Sequence, residues 1–386
     1  MDGHGESLMR AREGDISDRA IAVVAAAAAR HDRDGSFPHD SLAALGSAGL
    51  LGLGVPRALG GVEAELGEAC GWITRIGRAC ASTALIAGMQ TTHQRAVAHS
   101  ARWPAHLRER VGCDAVATGA LLNALRVEPN LGTPARGGLP ETTARRTADG
   151  WRLSGHKIYS TGSPGLTWMM VWARTDEAQP RVGQFLVSAR ADGVRILDTW
   201  DQMGLRASGS HDVIFSDVSL PTDHAADIRQ PAEWAERDPI SVAWNALLVC
   251  AVYHGVALAG RDWLLGFLHS RVPANLGRSL ATLPRMQEAV GAIDSRLLVN
   301  DRLMAGAAAE VDAGRMPDTN MINLIKTVVS DNAIAAVEQA VQLAGNHALA
   351  RSNPLERHLR DVLCARIHTP QPDMAYGAAG RAALGL

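Results

Sequence analysis

Up to about residue 113, apolar positions recur at helical spacing in a background rich in Ala and Leu. Ser17 and Asp18 open an apolar run over 21–29 that predicts a helix, and Phe37-Pro38 interrupts the pattern. Asp40 or Ser41 is placed to cap a short helix that Gly49 ends. Residues 50–61 carry glycines and a proline and predict a loop. From about 114 to 225 the period shortens. Segments 142–146 and 151–153 flank Asp149-Gly150, a hairpin signal, and 168–173, 184–188 and 212–215 are further short β-type runs. Short strands joined by tight turns predict a small antiparallel β-barrel. Helical spacing returns over 241–268, 283–311 and 319–343, with Gly314 and Gly345 at C-cap positions, and a shorter helix starts from Pro354. Long helices joined by short loops predict an antiparallel four-helix bundle. The expected fold class is therefore α+β, mainly α: a helical domain over 1–113, a β-barrel domain over 114–225 and a helical bundle over 226–386.

Composition narrows the function. A chain of 386 residues with 47% hydrophobic composition has material for more than one core. A net charge of −2 gives neither the basic field that nucleic acid requires nor an acidic tail. No run of 18 consecutive apolar residues suggests a membrane span, and the polar first 13 residues lack the apolar centre of a secretion signal. Five cysteines, odd in number and without a CxxC pair, fit reduced thiols better than disulfides or a zinc site, so a cytoplasmic location is expected.

Several segments carry a resemblance. In chain order they are Phe37-Pro38 with Leu50-Leu51-Gly52, Val55-Pro56 and Gly60-Gly61, then Glu128-Pro129 with Gly132-Thr133. Next come Trp151-Arg-Leu-Ser-Gly155-His-Lys157 with Ser160-Thr161-Gly162, and Gly204-Leu-Arg206-Ala-Ser208-Gly-Ser210 with Phe215, Asp217-Val218 and Pro221. Leu355-Glu356-Arg357 with Arg360-Asp361 closes the series. Together they resemble the acyl-CoA dehydrogenase superfamily over nearly the whole chain. The resemblance implies the same three-part fold, a homotetramer and bound FAD. It places the Thr161 hydroxyl and backbone at flavin N5, Tyr159 where the family stacks a Trp, and Ser160 between them. It also places Thr133 at the pyrophosphate, and Arg271 of a neighbouring subunit at the diphosphate, a task suited to a guanidinium. Gln342 and Gly345 begin the loop that closes on the adenine end. Asn346 replaces a family Gly and Val127 a family Thr, which leaves FMN open beside FAD. Read alone, Ser160 and Thr161 are equally well turn hydroxyls, and Arg271 a surface arginine. Glu356, Arg357, Arg360 and Asp361 read as a structural ion-pair and capping cluster.

Desaturation of an acyl thioester needs a base for the α-proton, normally a carboxylate. The two family positions for that base fall on Thr369 and on about Asn245, and neither side chain can serve. The segment His368-Thr369-Pro370 instead resembles the two-component flavin monooxygenases of the dibenzothiophene and hydroxyphenylacetate type. Those enzymes carry a His-rich motif at this bend, after a stretch like Arg357-His358-Leu-Arg360. They also use a His of the N-terminal domain, which His93 matches in region. Imidazole suits proton handling near pH 7, so His368 and His93 are the candidate catalytic residues. Three readings follow. The first is a monooxygenase acting on a small organic substrate with O2 and reduced flavin from a separate reductase. The second is an acyl-CoA dehydrogenase with an atypical base. The third is a non-catalytic flavoprotein. The missing carboxylate weighs against the second, and the intact flavin motifs against the third.

Overall fold

The computed structural model describes residues 3–130, 138–234 and 238–386. Its N-terminal part holds helices α1 (Gly3–Asp34), α2 (His39–Ser47), α3 (Leu66–Ala79), α4 (Ala81–Ala98) and α5 (Ala105–Thr118). Leu66, Ile73 and Ile76 of α3 are fully buried, as their helical spacing requires. Gly49 sits in the left-handed conformation expected after a helix, at φ 73°. The start of α2 departs from expectation. Pro38, not Asp40 or Ser41, precedes it and no side chain caps it. Asp40 Oδ1 instead accepts the neighbouring Ser41 N–H at 2.8 Å, while its carboxylate also pairs with His31 and Arg30.

Eight strands follow among the described residues: β1 (Leu121–Leu125), β2 (Thr143–Thr147), β3 (Gly150–Lys157), β4 (Leu166–Thr175), β5 (Val182–Ser188), β6 (Val194–Leu197), β7 (Asp212–Pro221) and β8 (Ala225–Arg229). They form one sheet in the order β6-β7-β3-β2-β4-β5-β8, with β1 also paired to β4. The hairpin β2–β3 forms, but Thr147 pairs with Gly150, so the turn is Ala148-Asp149 and Gly150 opens the second strand. The sheet is mixed rather than wholly antiparallel, because β1 and β2 both run parallel to β4. Neither strand reaches β4 by a tight turn. β1 arrives from α5, and both are separated from β4 by segments long enough to reverse the chain, which parallel pairing requires.

The C-terminal part holds α6 (Pro239–Ser270), α7 (Pro284–Asp312), α8 (Thr319–Ala344), α9 (Asn346–Leu349), α10 (Leu355–Leu363) and α11 (Pro372–Leu384). Arg261 pairs with Asp294 and His254 with Asp301, which sets α7 antiparallel to α6. A Cβ on Gly260 would touch both Val337 and Leu355, so α6 is covered by α8 and α10 together. By length and composition α6 could cross a membrane, yet most of its apolar stretch is buried inside the protein. It is apolar on nearly every side because it is packed on nearly every side.

Two junctions position the elements that matter later. The first is a buried ion pair. Lys157, at the end of β3, donates to Glu128 Oε1 and to the Trp172 carbonyl, both at 2.5 Å. Glu128 also accepts the backbone N–H groups of Glu141 at 2.6 Å and Thr142 at 3.0 Å. Burial pushes Lys157 down to about 8, opposed by the adjacent carboxylate. Burial also works against the charge on Glu128, but the bonds from Lys157 and Thr142 outweigh it and hold the carboxyl below its ordinary value. The second junction joins all three parts. Arg360 of α10 binds Asp32 of α1 at 2.6 and 3.0 Å, Glu356 at 2.8 Å and the Met203 carbonyl at 2.7 Å. Asp361 accepts the Leu205 N–H at 2.7 Å, while Leu205 lies at φ 52°, a left-handed conformation uncommon for leucine. Gly204 is pressed so close that a Cβ would stand 2.3 Å from the Arg360 carbonyl oxygen.

Gly204→Ala should therefore lower stability by about 1–3 kcal/mol through overpacking against backbone, read as the urea midpoint. Lys157→Met leaves Glu128 buried without its cation and should cost about 3–5 kcal/mol at pH 7. An unpaired buried carboxylate gains by taking up a proton, so that deficit should shrink as the pH falls towards 5. A deficit that is constant with pH in guanidinium titrations would contradict this account.

Candidate functional site

Just past Lys157 the chain makes a tight loop. Tyr159 takes a left-handed backbone at φ 55°, and the following residues fold onto the 208–211 segment. Ser160 N–H donates to the His211 carbonyl at 3.2 Å and Gly162 N–H to the Ser208 carbonyl at 2.9 Å. Ser163 donates to the Gly209 carbonyl from both its backbone, at 3.1 Å, and its hydroxyl, at 2.8 Å. The Thr161 and Ser210 hydroxyls lie 3.0 Å apart, and Ser210 meets Ser208 at 2.8 Å. Two motifs separate in sequence thus become one surface. The Tyr159 ring is exposed and stands edge-on to Trp200. The Ser160 hydroxyl is buried and has no hydrogen-bond partner among the described residues. Buried polar atoms are usually paired, so this hydroxyl is free to accept from or donate to a bound group. An exposed aromatic ring beside an orphaned hydroxyl and a chain of neutral hydroxyls fits a planar heterocycle with polar edges, such as a flavin.

The structure ties His93 to this loop. His93 lies on α4, half-buried, close enough to Asn123 of β1 for the amide to act on its imidazole. Asn123 Nδ2 in turn donates to the Thr161 carbonyl at 2.8 Å. Burial, with the nearby Arg126 charge, holds the His93 imidazole down to about 4, against the opposing bond from Asn123. Asn123 was not a sequence candidate. Its signal was a lone amide inside the apolar run Leu121-Leu122-Asn123-Ala124-Leu125.

His368 sits elsewhere, at the bend between α10 and α11. Its Nδ1 is 2.8 Å from the Tyr253 hydroxyl of α6, and its own carbonyl accepts from Lys326 Nζ of α8 at 2.7 Å. Burial, and then the Lys326 charge, holds this imidazole down to about 4 as well. Both partners are fully buried. Lys326 was legible as the one basic residue among Ile322, Ile325 and Val329 on the core face of α8, and Tyr253 as a polar tip at the end of the apolar run Leu247-Leu248-Val249-Cys250-Ala251-Val252. No hydrogen bond joins His93 to His368 among the described residues. Thr369 is exposed and Asn245 half-buried, and neither is replaced by a carboxylate.

The remaining candidates lie apart. Gly88 of α4 meets α6 at Leu248 and Val252, and Ile86 of α4 meets Gly162, which fixes the level of the loop along α6. Arg271 follows α6 at its other end, about 30 Å further on at helical rise. It is exposed, without a side-chain partner among the described residues. Gln342 and Gly345 are exposed at the same end, where His347 packs on Phe267. One chain therefore does not bring these three to its own Thr161. Thr133 lies outside the described residues.

Comparison with known proteins agrees with the architecture. Models of the acyl-CoA dehydrogenase N-terminal, middle and C-terminal domains match residues 15–100, 126–218 and 247–371. The putative acyl-CoA dehydrogenase YdbM of Bacillus subtilis is 31% identical over 351 residues, 90% of each chain. The L-evernosamine nitrososynthase of a Micromonospora species is 28% identical, over 90% of this chain and 84% of its own. KijD3, solved with FMN and dTDP-3-amino-2,3,6-trideoxy-4-keto-3-methyl-D-glucose, has a TM-score of 0.84 at 29% identity, covering 97% of this chain and 94% of its own. With its helix–sheet–helix order, its loop of paired motifs and matches along most of its length, the chain belongs to the acyl-CoA dehydrogenase family of flavin-dependent oxidoreductases.

Proposed function

We propose that the protein is a flavin-dependent monooxygenase that receives reduced flavin from a separate reductase and acts with O2 on a small organic substrate. One observation carries this reading. Where α,β-desaturation needs a carboxylate, the chain has Thr369 and Asn245, and the titratable side chain at that bend is an imidazole held uncharged by burial and Lys326. A hydroxyl and an amide cannot take an α-proton at useful rates, and general-base catalysis typically contributes about 10²–10⁴-fold. Likeness to a nitrososynthase, which by name forms an oxidised nitrogen, supports oxygen chemistry for this chain. Likeness to YdbM supports the alternative, desaturation of an acyl thioester with an atypical base.

Bound reduced flavin would supply two electrons to oxygen, and the chain's own residues would hold it, exclude water and handle protons. In this reading Tyr159, Ser160 and Thr161 hold the ring system, and Asn123 fixes the Thr161 carbonyl. The family resemblance would assign Thr133, which is outside the described residues, to the pyrophosphate. Arg271, Gln342 and Gly345 come from a second copy, consistent with their distance from Thr161 in a single chain. His93 and His368 handle protons from two sides. FAD fits the family, and FMN the likeness to KijD3.

The test is oxygen mixed with the flavin-reduced protein. His368→Ala should raise the rate of hydrogen peroxide release about tenfold or more. Anaerobic bleaching of the flavin by a member of an acyl-CoA panel, at a rate unchanged in His368→Ala, would overturn the proposal in favour of desaturation. Ser160→Ala should weaken flavin binding about tenfold, the equivalent of one hydrogen bond, and leave the flavin-free protein's melting midpoint unchanged. The opposite pattern, a lower midpoint with unaltered flavin affinity, would make Ser160 a structural hydroxyl.

A further inference from the structure

We infer that Tyr253 and Lys326 are positioning residues for His368: Tyr253 fixes the ring proton on Nε2, and Lys326 pins the bend, so that His368 presents an N–H donor. This deepens the reading above and rests on it for what lies beyond Nε2.

The tautomer follows from satisfying a buried donor. Tyr253 has no solvent-exposed surface, and its hydroxyl has one hydrogen-bond partner among the described residues, His368 Nδ1 at 2.8 Å. Burial raises the phenol well above its ordinary pKa, so the O–H is present and needs an acceptor. If Nδ1 carried the ring proton, the phenol proton would be buried with nowhere to go. Nδ1 therefore accepts, and the proton of the neutral ring lies on Nε2.

The position of the ring follows from Lys326. An ammonium has three donors and no acceptor. Here all three are used on the carbonyls of Ala365 at 3.0 Å, His368 at 2.7 Å and Pro370 at 3.1 Å. The three acceptors bracket His368 on both sides and include its own carbonyl. No ion pair engages Lys326 among the described residues; its charge is satisfied by backbone dipoles alone. The groups near this cluster are Tyr253 and Cys250 on α6, Lys326 and the more distant Asp331 on α8, and Asp361 and Cys364 at the end of α10. Burial and the Lys326 charge together keep the imidazole neutral. The result is a residue built to donate a hydrogen bond through Nε2–H, with its other nitrogen occupied by the phenol.

The experiment uses the flavin-bound protein with ¹⁵N-labelled histidine, the His368 resonances assigned by their loss in His368→Ala. The expected spectrum has an unprotonated Nδ1 and a protonated Nε2, constant between about pH 6 and 8. Tyr253→Phe, which preserves shape, should move both shifts towards a tautomer mixture and raise peroxide release several-fold. Lys326→Met, which removes the smaller of the two causes that keep the ring neutral, should move the onset of His368 protonation upward from about 4. Should that variant fail to fold, Tyr253→Phe decides alone. A protonated Nδ1 in the unmodified protein, or shifts unaffected by Tyr253→Phe, would overturn the inference. So would peroxide release raised by His368→Ala but not by Tyr253→Phe. The expected tautomer with peroxide release unchanged in both variants would instead overturn the oxygenation reading and leave the positioning of His368 standing.

Discussion

Everything near the candidate site leans on two adjacent residues of α10 that face different ways. Arg360 gathers Asp32, Glu356 and the Met203 carbonyl, and Asp361 takes the Leu205 amide. The first clamps α1 to the bundle, and the second holds the start of the 204–211 segment in a backbone conformation it would not choose alone. That segment is the wall on which Ser160 to Ser163 rest, and the Thr161 carbonyl takes the Asn123 amide of β1, beside His93. A few residues beyond Asp361 the same stretch of chain reaches the bend of His368. One short helix thus braces the segment beneath the Thr161 loop and leads directly into the bend of His368.

The chain buries two lysines, and solves the two cases differently. Lys157 is matched by a full carboxylate, itself braced by two backbone amides. Lys326 has carbonyl dipoles only. A carboxylate beside His368 would stabilise imidazolium and raise its pKa, whereas carbonyls leave the ammonium's field uncancelled and press the ring towards neutrality. The absence of a counter-ion at Lys326 is therefore part of what the bend does to its histidine.

Much of this was legible in the sequence, and for physical reasons. The long helices show because one apolar stripe at helical spacing persists over several turns. The β2–β3 hairpin shows because Asp149-Gly150 is a turn signal, although the turn itself lies one residue earlier. β1 was hidden because Leu121-Leu122-Asn123-Ala124-Leu125 is buried at almost every position and so has no alternation to read. α11 lies beyond a proline-containing bend in a stretch rich in Ala and Gly that carries little pattern. Among candidate residues, Tyr159, Ser160 and Thr161 are adjacent in sequence and in space, so the motif carried them. Asn123, Tyr253 and Lys326 reach the site from three different elements, and only the packing of those elements brings them there.

The all-round burial of α6 has a consequence for the chain as it is made. Its N-terminal half meets α3 and α4, which are already synthesised, at Gly77, Gly88 and Gly255. The side near Gly260 is covered by Val337 and Leu355, which emerge several dozen residues later. At ordinary translation rates that interval is on the order of seconds. For that time a helix apolar enough for a lipid bilayer has one flank open to water, beside a ribosome and its attendant factors. Until α8 and α10 arrive, that flank is the kind of transiently exposed apolar surface that makes large chains prone to aggregate.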